Sequence, residues 1–312
     1  METDAPAPAE VGAAEAANLL AGDIATGDVP AGDIQAGDMQ AGAGEAPAAK
    51  ARNARSGFVH ELALVLGFYY LYQTIRSLAD HVGASNRAHA NAVRVVNWER
   101  SLNVLHEQAI QQAFLGARWF IKGVNIYYGT LHFLVTAGLL IWLYLKRHDG
   151  YRRMRDWLGA STALALIGYW AFPLAPPRLY ACNRSIPVAG PDGYTIGKCF
   201  VDTLAKVGGL WSYESPVATA VANQYAAMPS LHFGWSVWCG VVMYQFAAHR
   251  SVRILGVLYP LVTLFAIVVT ANHYFLDAVG GVLIVVLAKY LLIRRTRHRS
   301  TSDAPAGPAA AQ

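Results

Sequence analysis

The stretch ANHYFLDAVGGVLIVVLAKYLLI, residues 271–293, decides the fold of this chain. It contains a long and almost uncharged apolar run, and about 20 apolar residues are enough to cross a bilayer as one helix. A histidine, His273, stands four positions before an aspartate, Asp277, at the start of that run. Because residues four apart share one face of a helix, the sequence predicts a polar pair where a membrane-spanning helix begins.

Five further stretches have the same apolar character, so the sequence predicts six membrane-spanning helices. The six lie at about 58–78, 121–145, 157–175, 231–248, 254–271 and 274–293. Only 14% of the residues are charged, against roughly 25% in soluble domains. The composition therefore excludes an ordinary soluble protein and predicts an all-α, polytopic membrane protein.

The two ends of the chain lack this apolar character. Residues 1–49 hold nine acidic residues and no lysine or arginine, and Gly-Asp recurs every five residues from position 22 to position 38. Such a segment buries too little apolar surface to offset the entropy that ordering costs. We therefore predict a disordered acidic Ala/Gly/Asp tail over 1–49, a six-helix membrane domain over 50–299 and a disordered C-terminal tail over 300–312.

Basic residues concentrate in alternate connectors between the predicted spans. They are Lys50, Arg52 and Arg55 before the first span, Lys146, Arg147, Arg152, Arg153 and Arg155 after the second, Arg250 and Arg253 after the fourth, and Arg294, Arg295, Arg297 and Arg299 after the sixth. By the positive-inside rule, these connectors and both termini are cytoplasmic in a cell membrane, and the loops 79–120 and 176–229 face outside. The net charge of +5 thus follows the membrane topology, and no nucleic-acid partner is expected.

The outer connector 79–120 has apolar residues at helical spacing. Two tryptophans, Trp98 and Trp119, could anchor it at the membrane interface. We predict an amphipathic helix that lies along the outer surface. A solvated loop stays open as the alternative, because the connector also carries four arginines.

The three cysteines are too few for a disulfide scaffold. Cys182 and Cys199 lie in the loop 176–229, on the side of the membrane where disulfides can persist, and their pairing stays open. Cys239, within the fourth span, is expected to be a small buried residue.

Three polar motifs fall at the outer ends of predicted spans. They are Ala175-Pro176-Pro177-Arg178-Leu179, Met228-Pro229-Ser230-Leu231-His232 and Asn272-His273-Tyr274-Phe275-Leu276-Asp277. In the third motif, Asp277 can bind one ring nitrogen of His273, which leaves the other nitrogen to attack an electrophile or to bind a proton. A buried polar pair that only holds helices together is the alternative.

The second motif predicts a helix start that is suited to an anion. Ser230 is a candidate N-cap, and the unpaired amides of the first turn, with His232, could surround a phosphate. Arg178 of the first motif would add a planar cation that suits phosphate oxygens. The alternative for Arg178 is an arginine that extends to the membrane interface.

The second predicted span carries a polar stripe. Asn125, Tyr128 and His132 lie at i, i+3 and i+7, on one face of a helix. Polar faces of membrane helices point to the protein interior, so these residues could line a lipid head-group pocket. Hydrogen bonding between helices is the alternative.

The three motifs together resemble the type 2 phosphatidic acid phosphatase superfamily. They are most similar to its lipid phosphotransferase branch, which includes inositol phosphorylceramide synthases (an inositolphosphotransferase activity) and sphingomyelin synthases. The resemblance covers about residues 88–293 and implies six helices, with no metal and no other cofactor. It implies that His273 is a nucleophile that forms a phosphohistidine, that His232 protonates the leaving group, and that Asp277 orients His273.

Two phosphate-binding bases of the phosphatase branch are missing. The family's lysine and proline in the first motif are replaced by Ala171 and Leu179. A serine–arginine pair ahead of the third histidine is replaced by Ala266 and Ile267. The transferase branch tolerates such losses, and the resemblance therefore favours it. Candidate replacements on the predicted outer face are Arg118 and Lys122.

The leading hypothesis is a membrane enzyme that moves a phosphoryl or phospho-head group of a phospholipid or lipid phosphate at the outer face. Water as the acceptor would make it a phosphatase, and a lipid hydroxyl would make it a phosphotransferase; the sequence decides neither this nor the oligomeric state. The alternative from another class is a transporter or binding protein that uses the buried histidines and aspartate as an ion or proton path. A third alternative makes His232, His273 and Asp277 a metal site with two histidines and one carboxylate.

Overall fold

The computed structural model describes residues 84–180, 200–210 and 224–302, without the side chains after residue 295, and adds scattered helical positions between 59 and 74. All regular elements in these ranges are helices, and one isolated parallel bridge joins Leu174 to Ala226. Both the predicted N-terminal tail and the pair Cys182 and Cys199 lie outside the described residues, as does most of the predicted span 58–78.

From residue 84 onward, the described residues form nine α-helices. They are α1 (Ala84–Ser101), α2 (Glu107–Phe114), α3 (Arg118–Ile126), α4 (His132–Lys146), α5 (His148–Ala171), α6 (Thr203–Lys206), α7 (Leu231–Phe246), α8 (Arg250–Val269) and α9 (Phe275–Ser302). A π-helical turn, Tyr127–Leu131, joins α3 to α4, and a short 3₁₀ helix spans Pro177–Leu179. Helix α9 continues through Ser302, three residues into the segment predicted as a disordered tail.

Three of the predicted spans are helices long and apolar enough to cross a membrane. They are Arg118–Lys146, Arg250–Val269 and Phe275–Arg295. Large apolar side chains such as Leu134, Leu255 and Leu283 are 58–63% exposed on them. Such outward apolar faces suit lipid rather than water, so the prediction of a membrane protein with apolar helices is supported on these segments.

The third and fourth predicted spans are also helical, as α5 and α7, and their crossing of a membrane stays a prediction. Helix α5 begins nine residues before the predicted position 157 and ends at Ala171. The chain leaves the helix ahead of Pro173, because a residue before proline disfavours helical geometry. It then runs beside residues 225–227, where Leu174 donates its N–H to the carbonyl of Tyr225 at 2.7 Å.

Helices α7 and α8 approach each other closely at two glycines. A Cβ added to Gly240 would overlap the carbonyl oxygen of Gly256, and one added to Gly256 would lie 2.8 Å from the carbonyl oxygen of Gly240. A second close approach joins α9 to the start of α7, where a Cβ on Gly281 would overlap the carbonyl oxygen of Ser230. Small residues let the helix backbones touch, as is usual between membrane helices.

The connector predicted as one amphipathic helix forms two helices, α1 and α2. Helix α1 ends at Ser101, and Asn103, in the break that follows, has a φ of 56°, the left-handed geometry common after a helix end. The buried face of α1 is mainly apolar, but α2 buries Glu107 and Gln111. Trp98 and Trp119 are 48% and 80% exposed, and their location at a membrane surface stays a prediction.

Candidate functional site

The ring of His273 is held by two acceptors on the same nitrogen. Its Nδ1 lies 2.9 Å from the carbonyl oxygen of Ala227 and 3.2 Å from Oδ2 of Asp277. Because a backbone carbonyl can only accept, Nδ1 must carry the hydrogen in this arrangement. The lone pair of a neutral His273 is therefore on Nε2, which is the form required of a nucleophile or a base.

Asp277 connects the second and third motifs. Its Oδ2 also accepts the N–H of Tyr274 at 2.9 Å, and its backbone carbonyl accepts the N–H of Ser230 at 2.8 Å. Asp277 is fully buried, and His273 is 4% exposed. The predicted hydrogen bond between the two side chains is present, and the same aspartate sets the distance between the starts of α9 and α7.

Ser230 is the N-cap of α7, as the sequence predicts. Its Oγ accepts the N–H of Phe233 at 3.3 Å, and the residue is fully buried. His232, in the first turn of α7, stacks on Tyr128 with 4.2 Å between ring centroids. The ring centroids of His232 and His273 are 5.8 Å apart. The structure thus brings the two motif histidines together at one site.

The polar stripe of the second span is divided by the π-helical turn Tyr127–Leu131. Tyr128 and His132 lie beside His232, with 5.3 Å between the ring centroids of His132 and His232. Asn125 instead donates its two amide hydrogens to the carbonyls of Thr203 and Gly208, both at 2.8 Å. A π turn adds a residue to the turn and rotates the next part of the helix, so the i, i+3, i+7 pattern does not describe one common face. Asn125 thus makes hydrogen bonds to another segment, as the alternative expects, and a head-group pocket lined by this stripe stays a prediction.

Arg178 is joined through its backbone to the residue that precedes the third motif. Its N–H donates to the carbonyl of Ala271 at 2.8 Å, and its guanidinium donates to Oδ2 of Asp202 at 3.1 Å. Arg178 and Asp202 are both partly buried, with 21% and 24% of their side chains exposed. A phosphate at Arg178 would therefore share the guanidinium with Asp202, a residue that no sequence motif indicated. The proposed replacement bases Arg118 and Lys122 are exposed on α3.

Two buried glutamates complete the surroundings of His273, and no sequence motif indicated either of them. Glu99 of α1 accepts the N–H of Leu276 at 2.7 Å, and Glu107 of α2 accepts the N–H of Phe275 at 3.0 Å. Each is 0% exposed. Burial, followed by a hydrogen bond and charge repulsion from Glu107, raises the pKa of Glu99 to about 10. The sequence offered only one signal, the presence of acids within a basic connector, and the third acid of that connector, Asp80, makes the signal unspecific.

The donor groups do not form a recognisable metal cluster within the described ranges. No three histidine, cysteine, aspartate or glutamate side chains there have positions that could hold a metal ion. In the arrangement that is present, Asp277 and Ala227 bind Nδ1 of His273, and the ring of His232 contacts aromatic side chains.

The chain matches one family model. Residues 93–291 match the PAP2 superfamily model, a segment that contains all three motifs. No curated protein matches the chain, and no solved structure matches it.

Proposed function

The chain belongs to the PAP2 superfamily, whose members are generally phosphatases and phosphotransferases, and we propose that it is an integral membrane enzyme that transfers a phosphoryl or phospho-head group. Its substrate would be a phospholipid or a lipid phosphate in the bilayer. The observation that carries the proposal is the hydrogen bonding of His273, whose Nδ1 is bound by Ala227 and Asp277. That arrangement leaves Nε2 with a lone pair beside a second imidazole.

In the first half of the proposed reaction, Nε2 of His273 attacks the phosphorus. The bond between phosphorus and the leaving oxygen breaks, and His232 gives its proton to that oxygen. The new phosphohistidine keeps the hydrogen on Nδ1, so its ring carries positive charge. The carboxylate of Asp277, 3.2 Å from Nδ1, stabilises this charge.

In the second half, the neutral His232 accepts a proton from the hydroxyl of the acceptor. The acceptor oxygen attacks the phosphorus, the N–P bond breaks, and its electron pair returns to Nε2 of His273. Water as the acceptor completes a hydrolysis, and a lipid hydroxyl completes a transfer. In either case His232 ends protonated, and both histidines are ready for another cycle.

The phosphate would bind between Arg178 and the first turn of α7. Amides at a helix N-terminus attract anions, and the cap at Ser230 supports a helix start of this kind. A guanidinium can bind two phosphate oxygens at once. Two bases that bind phosphate in the phosphatase branch are absent here, so other residues would neutralise the remaining phosphate charge. The lipid phosphotransferase branch, with its inositol phosphorylceramide and sphingomyelin synthases, tolerates such losses, and for that reason we favour it.

The proposed location follows from the alternation of basic connectors in the sequence. Both termini would be cytoplasmic, and the site would face outside the cell membrane. No metal or other cofactor enters the proposed chemistry, so turnover should be insensitive to chelators. The first-motif arginine and the helix N-terminus would replace the cation that a metal-dependent enzyme uses.

The test is a product analysis with purified enzyme in vesicles that contain candidate phospholipids, with and without a lipid alcohol. Mass spectrometry should detect a free head-group phosphate if the enzyme hydrolyses, and a new phospholipid if it transfers. His273→Ala should abolish either product, while His249→Ala, at an exposed histidine before α8, should leave the rate unchanged. A product that forms equally in His273→Ala would refute the proposal.

A further inference from the structure

We propose that Glu99 and Glu107 share a single proton and together position the start of α9, the turn that follows His273. The two residues come from different helices, α1 and α2, and neither belongs to the three sequence motifs. The pair would be a positioning device for the reaction and would contact no substrate. Its effect on turnover rests on the proposed function, whereas the shared proton does not.

The two carboxyl groups bind consecutive amides of one helical turn. Glu107 accepts from Phe275 at 3.0 Å, and Glu99 accepts from Leu276 at 2.7 Å. The preceding amide, of Tyr274, donates to Asp277 at 2.9 Å. Three acidic side chains therefore bind the first three N–H groups after His273, which satisfies amides that a helix start otherwise leaves open.

The second carboxyl oxygen of each glutamate, Oε2, is the evidence for a shared proton. Oε2 of Glu99 and Oε2 of Glu107 are both buried, and no N–H or O–H of another described side chain or amide donates to them. Because their Oε1 atoms bind consecutive amides of α9, the two carboxyl groups lie next to each other, and interaction with Glu107 contributes to the raised pKa of Glu99. Two ionised carboxylates would place lone pair against lone pair, whereas one proton between them gives a donor and an acceptor.

The surrounding charges favour the same protonation state. The titratable groups nearest the pair are Asp277 and Tyr274 at the start of α9, and Tyr180 after the 3₁₀ helix lies close to Tyr274. None of these can supply a positive charge, and within the described residues neither glutamate pairs with a lysine, arginine or histidine. A pair with one proton keeps one negative charge, which the N-terminus of α9 stabilises.

The consequence for the site is the position of His273. The amides of residues 274–276 are fixed by side chains from α1, α2 and α9, and so the backbone next to the ring of His273 has little freedom. A reacting group must be held to within a fraction of an ångström for efficient attack. Loss of the pair should therefore lower turnover more than substrate affinity.

Four glutamate variants test the shared proton. In Glu99→Gln or Glu107→Gln, the amide oxygen can still accept from α9 and the amide nitrogen can donate to the remaining carboxylate, so each single variant copies the protonated pair. The double variant places two amide nitrogens against each other. We expect each single glutamine to keep activity within about threefold, and we expect the double variant, like Glu99→Ala, to lose about tenfold or more in kcat at little change in KM. Asp149→Asn, at an exposed acid of α5, is the matched control.

Two measurements do not depend on turnover. Infrared spectra of the purified protein at neutral pH should contain the carbonyl band of a protonated carboxyl group. This band should disappear in the double variant Glu99→Gln/Glu107→Gln and persist in Asp149→Asn. Melting temperatures should rank the single glutamines close to the wild type and the double variant below them. If no lipid is turned over, the proposed function fails. The infrared band and the order of melting temperatures then still test whether the two glutamates share a proton.

Three results would overturn the proposal. The first is a single glutamine as damaging as alanine, since that requires two ionised carboxylates. The second is a wild-type melting temperature that falls on addition of a chelator, which would indicate a bridging cation. The third is Glu99→Ala with wild-type kcat, which would remove the pair from the positioning of His273.

Discussion

The contact between α7 and α8 is a close approach of two glycines, whereas the junction at the start of α9 is formed by buried polar side chains. The first brings Gly240 against Gly256, with no polar side chain at the closest approach. The second buries Glu99, Glu107 and Asp277 completely around the backbone beside His273. An apolar contact depends on volume, whereas a polar junction depends on the direction of each hydrogen bond. We expect changes to the first to lower stability and changes to the second to lower activity.

The largest expected effect falls on the polar junction. Asp277→Asn removes the negative charge beside Nδ1 of His273, so the positively charged ring of the phosphohistidine loses its stabilising partner, while the carbonyl of Ala227 still holds the hydrogen on Nδ1. We expect turnover to fall by about 10²–10⁴, by analogy with the aspartate of a hydrolytic triad. The melting temperature should change little, because the substitution preserves shape. Steady-state rates and thermal melts measure the two effects, and a rate within threefold of the wild type would show that the charge of Asp277 does not assist His273.

The next prediction concerns the close approach of Gly281 to Ser230, where a glycine contact adjoins the polar junction. Gly281→Ala puts a Cβ against the carbonyl oxygen of Ser230, at the start of the helix that carries His232, while the Cβ of Gly280→Ala meets Pro229 at 3.4 Å and Met228 at 3.6 Å, which are ordinary contacts. We expect Gly281→Ala to lose about tenfold in turnover and about 1–3 kcal/mol in stability. Gly280→Ala should match the wild type or be slightly more stable, since alanine favours a helix. Equal behaviour of the two variants would show that the close approach has no part in placing His232.

A smaller effect is expected from the apolar contact alone. Gly240→Ala forces α7 away from the backbone of α8 and should cost about 1–3 kcal/mol. The folded fraction should keep its turnover per molecule, because the histidines are bound through residues of other turns. Gly138→Ala has no atom within 4 Å of its new Cβ and provides the control for a glycine in a helix. If Gly240→Ala lost turnover at an unchanged melting temperature, the contact between α7 and α8 would serve activity and not stability, contrary to our assignment.

The last prediction is a gradual pH dependence of stability, in place of a loss at one fixed pH. The pKa of Glu99 is raised from 4.5 to about 10 in the folded protein, so the folded state holds a proton that the unfolded state releases. Its contribution is complete below about pH 4.5 and is lost as the pH rises towards 10, with a limiting slope of about 1.4 kcal/mol per pH unit. The melting temperature should therefore decline over this window, and Glu99→Gln should decline less steeply. Parallel curves for both proteins would contradict the raised pKa.

Sequence patterns predicted the local parts of this architecture. The cap at Ser230 and the bond between His273 and Asp277 depend on residues three or four positions apart, and both are present. The binding of Phe275 by Glu107 and of Leu276 by Glu99 joins residues 168 and 177 positions apart. Contacts between residues so far apart in the sequence arise from helix packing and leave no periodic signal in a single sequence.

The polar stripe of the second predicted span differs from the expected geometry for another reason. The stripe of Asn125, Tyr128 and His132 assumes regular α-helical geometry, and the π-helical turn Tyr127–Leu131 changes the direction of the residues after it. Stacking of Tyr128 on His232 accompanies this turn. An insertion within a helix depends on such tertiary contacts, so a fixed period of 3.6 residues cannot reveal it.

The central claim is that His273 becomes covalently phosphorylated, and rapid quenching with a donor labelled at its phosphorus tests this most directly. The wild type should yield a protein-bound label that is stable in base and labile in acid, as expected of a phosphohistidine. His232→Gln should form the same adduct more slowly, because only the protonation of the leaving group is impaired. His273→Ala should form none. An acid-labile, base-stable adduct that persists in His273→Ala would contradict the account.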